Sequence, residues 1–239
     1  MNFGSIALLE NATQVGAQLA VDYPEYRDTI IEYLCLTRIT HWEIDVRKSS
    51  ARALSIICQN ADCLRIFYSH WYRLVSDADS NVNDFKTHGG VLALSVSLRH
   101  VTAAYPSELE PVRSIVAKLI DSRHFSSPDM MSHFIRPSIL ELLTEYSRIA
   151  IDLGQNTDDF PVWLEKIQNS IMKMGALADK YQYQNRRELC AQITPAMSLL
   201  ITRISPEKQR DIVQTLAQLI QSDQRRVRNP WSAFLIEQS

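Results

Sequence analysis

Turn-forming residues are scarce along this chain, and that scarcity constrains its fold more than any other feature. Six glycines and nine prolines serve 239 residues, about one per sixteen positions. A sheet protein needs a turn signal roughly every 8–12 residues, so an all-β fold is excluded. Apolar residues recur instead at the spacing of a helix face. One stripe follows Pro24, through Ile30, Ile31 and Leu34 toward Thr37 and Arg38. A second runs Val46, Ala53, Leu54, Ile57, and a third Leu64, Phe67, Trp71, Leu74, Val75, ending at the polar stretch 77–84. Further stripes lie at 91–96, from Val112 to Ile120, from Phe134 to Leu153 around Pro137, and from Pro161 to Leu177. Arg186–Arg203, Glu207–Gln221 and a segment starting near Arg225 complete the series. Helix follows helix with no credible strand, so the predicted class is all-α.

Self-similarity separates a globular bundle from a stack of helical hairpins. Asp45-Val46-Arg47, followed by Ala51, Ala53 and Leu54, opens one second-of-pair helix. Asp84 and Lys86, followed by Gly90, Leu92, Ala93 and Leu94, open another 39 residues later. Asp223 ahead of Val227-Arg228 repeats the acid-before-Val-Arg pattern. A two-helix period near 40–47 residues belongs to HEAT and armadillo arrays. The expected fold is a HEAT/armadillo-like solenoid of about five helix pairs, one array over residues 1–239. The acids Asp45 and Asp223 are expected to cap helix amides, and Arg47 and Arg228 to pair with a neighbouring repeat's acid, as a ladder setting register. Helix Phe3–Ala20 reads as the second member of an incomplete pair. Both ends are therefore expected to be uncapped and to expose apolar surface that favours self-association.

The charge balance narrows the partners. Lys+Arg number 25 and Asp+Glu 27, for a net charge of -2. That balance argues against nucleic acid, which is bound through clustered cations. No apolar run approaches a membrane span, and MNFGSIALLENATQ lacks the basic start of a secretory signal. Cys35, Cys58, Cys63 and Cys190 show no metal-ligand spacing and read as small buried hydrophobes of a reducing compartment. His41, His70, His88, His100, His124 and His133 include no H-E-x-x-H, and no phosphate-binding glycine motif occurs. Gly89-Gly90, the only adjacent glycine pair, is expected to let two helix backbones approach closely. No catalytic residue, metal ligand or cofactor site is assigned, and the chain is expected not to be an enzyme.

His41-Trp42 falls at a turn between two helices of a pair. A tryptophan there is expected first as a wedge against the neighbouring repeat, and second as an exposed partner anchor. Pro24-Glu25-Tyr26, Thr40-His41-Trp42-Glu43, Val46-Arg47 and Ala51-Arg52-Ala53-Leu54 resemble the C-terminal HEAT region of the tubulin-folding cofactor D family. Thr87-His88-Gly89-Gly90-Val91-Leu92-Ala93 is similar to that family's R-H-G-x-I/V-L-A segment, with Thr87 in place of the arginine. The resemblance is strongest over residues 24–100, under a third of the chain, and continues more weakly through Asp121-Ser122-Arg123, Ile135-Arg136 and Trp163-Leu164.

The resemblance implies a cytoplasmic chaperone of the microtubule cytoskeleton that captures β-tubulin and works with other tubulin-folding cofactors on the α/β heterodimer. It also implies stimulation of tubulin GTP hydrolysis only within a larger assembly, and contact with an ADP-ribosylation-factor-like small GTPase. Tubulin is acidic, so Arg186-Arg187 and Arg225-Arg226 join His41 and Trp42 as candidate partner-binding residues. A generic repeat scaffold for another protein, such as a small GTPase, and an α-helical enzyme remain the alternatives.

Overall fold

The computed structural model describes residues 3–80, 82–126, 130–181 and 195–222, and every element among them is helical. The all-α expectation holds. Two compact units divide the chain, Met1–Lys118 and Leu119–Ser239.

The first unit opens with α1 (Phe3–Asp22). Pro24 then starts a 3₁₀ turn, Pro24–Tyr26, where its missing N–H leaves no bond unmade. The stripe predicted as one helix after it is two elements. Helix α2 (Arg27–Tyr33) gives way to a π turn over Leu34–Arg38, whose end is marked by Ile39 N bonding Leu34 O at 3.0 Å. Helix α3 (Ile44–Cys58) buries Val46, Ser50, Ala53, Leu54 and Ile57 on one face. Helix α4 (Ala61–Tyr68) is capped by Asn60, whose side-chain oxygen accepts from Cys63 N at 3.0 Å.

The third stripe, expected as a single helix, is broken. Ser69 N and His70 N bond back to Ile66 O and Phe67 O, three residues earlier, and these tight bonds end α4. The chain restarts as α5 (Trp71–Ala78). Helix α6 (Asp84–Ala104) begins at Asn83, which caps Phe85 N at 3.0 Å and Lys86 N at 3.1 Å. A second 3₁₀ turn, Pro106–Glu108, leads into α7 (Leu109–Asp121).

Helix α1 packs on α3 and α3 on α6, so the second helices of successive hairpins form one row. Helix α2 lies against α4, and α5 against α6. This is the layering expected of an armadillo/HEAT-like repeat. Gly89 and Gly90 make it possible: a side chain at Gly89 would meet the Ile39 carbonyl, and one at Gly90 would meet Leu74 O and the Ala78 backbone. Cys35, Cys58 and Cys63 are buried free thiols, as expected of small hydrophobes. Burial pushes the Cys35 thiol up to about 12, well outside the range of a reactive nucleophile.

The second unit contains α8 (Arg123–Ser126), α9 (Met130–Asp152), α10 (Phe160–Tyr181), α11 (described over 195–201) and α12 (Pro206–Ser222). Pro137 sits inside α9, as its sequence pattern requires. Helix α9 ends at Gly154, which holds φ +62° while Gln155 N bonds Ala150 O at 2.8 Å. Trp163 of α10 anchors the core, edge-on to Tyr146 of α9 at 5.6 Å between ring centres.

Gly90→Ala is expected to lower stability by about 1–3 kcal/mol, because the added methyl meets backbone and not a movable side chain. Chemical denaturation followed by far-UV circular dichroism measures this. Gly16→Ala, where a methyl meets nothing within 4 Å, is the control and is expected to be neutral or stabilising.

Candidate partner-binding edge

The turn that joins the π segment to α3 carries His41 and Trp42, and a buried arginine holds it. Arg47, in the first turn of α3, is 1% exposed. Its Nη1 donates to His41 O at 2.5 Å and to Trp42 O at 2.9 Å. Its Nε donates to His88 Nδ1 of α6 at 3.0 Å. The Phe85 ring covers the guanidinium with its centre 5.2 Å from Cζ. One side chain therefore ties the turn of one hairpin to the second helix of the next.

The chemistry of this joint differs from the expected ladder. The Arg47 bonds run to two carbonyls and a neutral imidazole, not to a neighbouring repeat's acid. Asp45 lies in the first turn of α3, and the cap position, Glu43, makes no side-chain cap. Helix α6 is likewise capped by Asn83, with Asp84 one residue inside it. The physical reason is dielectric. A buried cation can be held by oriented carbonyl dipoles and a ring face without burying a second charge.

Burial lowers the Arg47 guanidinium to about 10, partly offset by Glu43, so it stays charged at neutral pH. His88 is fully buried. Desolvation, with Arg47 and Lys48 nearby, drives its imidazole down to about 3. His88 is thus neutral, with Nδ1 as the acceptor and the proton on Nε2.

Trp42 is not the wedge expected of it. Its side chain is 65% exposed. Arg47 takes its carbonyl inward, and the indole lies outward over His41, with ring centres 5.4 Å apart. His41 is half-buried, and its Nδ1 accepts from Glu43 N at 3.0 Å, fixing the ring that supports the tryptophan. Phe85, at the same joint, is 38% exposed. The candidate residues Arg186, Arg187, Arg225 and Arg226, and the ladder residues Asp223 and Arg228, lie outside the described residues.

A second polar joint escaped the sequence reading. Glu108 is 4% exposed, yet its carboxylate accepts from Trp71 Nε1 at 2.8 Å, Tyr68 OH at 2.7 Å and Tyr72 OH at 3.1 Å. Tyr105 stacks on Tyr68 with ring centres 3.8 Å apart. The bond to Glu108 is the main cause that raises the Tyr68 phenol, since losing its proton would place two anions together. This joint pins α4 and α5 to the end of α6. The bonds span 36–40 residues, so no local motif marks them.

Among the described residues no group of three or more His, Cys, Asp or Glu side chains converges as metal ligands. No helix among them is long and apolar enough to cross a membrane. The described side chains present an exposed aromatic edge and two buried polar joints.

No family model matches the chain, and comparison with curated proteins gives no match. Solved structures similar to it include an engineered protein at TM-score 0.45 and 14% identity, covering 95% of this chain and 88% of that one. A designed armadillo repeat protein matches at TM-score 0.43 and 14% identity, covering 95% and 91%. At that likeness neither carries anything about function to this chain.

Arg47→Met is expected to cost about 2–4 kcal/mol, by orphaning two carbonyls and an imidazole nitrogen at once. Arg47→Lys keeps the charge but not the fork, and should fall between. Urea denaturation at pH 7 measures both.

His88 also sets a pH dependence. Below about 6.5 the unfolded chain takes up a proton that the folded chain refuses until about 3. Stability from this residue is therefore complete above 6.5 and is lost as the pH falls, at up to about 1.4 kcal/mol per unit. His88→Asn, an uncharged acceptor of similar reach, is expected to flatten the slope between pH 6.5 and 4.5 in denaturation series on both proteins.

Proposed function

We propose that this chain is a protein-binding helical-repeat module whose client is β-tubulin, acting in the cytoplasm on α/β-tubulin assembly, as its resemblance to the tubulin-folding cofactor D region implies. The observation that carries the reading is Trp42. A large aromatic with 65% of its surface exposed, on a turn clamped by a buried arginine, is an anchor presented at little ordering cost. Folding accounts for Arg47, His88 and Gly89, which are buried and bonded or tightly packed. Folding sets the outward direction of the Trp42 side chain but does not require an indole there. Support also comes from where the resembling segments meet: His41, Trp42 and Arg47 from the first, and His88 from the second, share one joint. On this reading the chain binds and does not catalyse. Any effect on tubulin GTP hydrolysis arises in a larger assembly with other tubulin-folding cofactors.

Trp42→Ala separates binding from folding. Stability should change by less than about 0.5 kcal/mol, since the side chain is a surface one. Affinity for native tubulin dimer, measured by size-exclusion co-elution and titration, should fall at least about tenfold. Failure of the parent chain to associate with tubulin removes the client. Equal binding by Trp42→Ala removes this edge as the contact. If the parent chain binds an ADP-ribosylation-factor-like GTPase and not tubulin, the scaffold reading takes its place.

A further inference from the structure

Helix α2 and the 3₁₀ turn ahead of it repeat one dipeptide, Glu25-Tyr26 and Glu32-Tyr33. Seven residues are close to two helical turns, so the glutamates stand in one row along the segment and the tyrosines in a second row beside it. The inward side buries Ile31, and α2 packs on α1 and α4. Both rows face solvent. Tyr23, Tyr26 and Tyr33 are 49%, 51% and 52% exposed, with Tyr23 edge-on to Tyr26 at 6.4 Å between ring centres. Glu25, Asp28 and Glu32 are exposed as well.

None of these three carboxylates has an ion pair or a hydrogen bond among the described residues. Arg27, the one basic side chain of α2, turns away from them. Its Nε and Nη2 donate to Ala20 O and Val21 O, both at 3.0 Å, and its Nη1 to Asp62 at 3.1 Å. Arg73 of α5 lies toward Asp77. Burial lowers His70 of α5, with Glu32 partly opposing, so that ring is uncharged at neutral pH. Exposed helices ordinarily set acid against base four residues apart. Asp28 and Glu32 set acid against acid, which weakens the helix. Folding gains nothing from this row.

We propose that this face binds an arginine-bearing segment of a protein partner. Unpaired carboxylates select a cation, and the rings select among cations. A guanidinium is planar, forks onto a carboxylate and stacks on an aromatic face, whereas an ammonium is a hydrated point charge. Each Glu-Tyr pair offers both contacts to one side chain. The two pairs lie about 10 Å apart along the helix axis, the span of about three residues of extended chain. An acidic client of the Trp42 edge would be repelled here, so this inference stands apart from that reading.

Fluorescence-anisotropy titration of the full chain with a labelled peptide of Arg-Gly-Gly repeats tests it, at about 50 mM salt where surface charge is weakly screened. Binding is expected, at least about fivefold weaker at about 300 mM salt. A Lys-Gly-Gly peptide of equal length should bind at least about threefold more weakly. Glu25→Gln with Glu32→Gln, and separately Tyr26→Leu with Tyr33→Leu, should each lower the affinity at least about fivefold. Glu165→Gln, at an exposed carboxylate of α10, should leave it unchanged. Circular dichroism melts verify that each variant is folded, and if the tyrosine pair unfolds, Tyr33→Leu alone takes its place with the same direction. A parent chain that does not bind the arginine peptide overturns the proposal. Equal affinity for the lysine peptide also overturns it, by reducing the contact to net charge. Unchanged binding in the folded α2 variants does the same, by placing the contact elsewhere.

Discussion

The first unit depends on a cation placed where no anion meets it. Arg47 is taken out of water, and its bonds go to two carbonyls and one imidazole. Burying a charge this way is tolerable because the guanidinium is planar and presents several donors at once, and because the Phe85 ring covers it. The consequences spread outward. His88 must remain neutral, the 41–43 turn is drawn inward at its carbonyls, and Trp42 has nowhere to place its indole but outside.

Glu108 is the complementary case. A buried carboxylate is held by an indole and two phenols, again without an opposite charge. Apolar stacking along the α1–α3–α6 row is non-directional and would tolerate neighbouring registers. Hydrogen bonds to a fixed fork or carboxylate do not. The two joints therefore select among alternatives that hydrophobic packing leaves nearly equal, one at the intra-hairpin turns and one at the opposite end of α6. Gly89 and Gly90 set the remaining condition, that α6 approach both neighbours at backbone distance.

Much of this was legible in order along the chain. Apolar periodicity located α3, α6, α9 and α10, and the Gly89-Gly90 pair announced a close approach that the structure contains. At Arg47 the expected pairing with a neighbouring repeat's acid is replaced by other bonds, for a reason that spacing cannot express. Asp45 and Arg47 are in the right places for a ladder, but Arg47 points into the protein, where a neutral partner costs less than a second buried charge. Trp42 failed similarly. Its position at a turn was correct, while its exposure depended on which atoms of that turn Arg47 captured. The breaks at Leu34–Arg38 and Ser69 were invisible because the apolar stripe runs through them without interruption.

By itself the sequence determined the helical class, the hairpin order of the first unit and the inert thiols, because these follow from local propensity and from periodicity along one chain. Only the tertiary structure decided which polar side chains were buried together and which large apolar ones were left outside. Those choices rest on contacts between residues about 36–41 positions apart, as in the Arg47–His88 and Trp71–Glu108 bonds. They are settled by the balance of desolvation against directional bonding at each joint, and no local pattern encodes that balance.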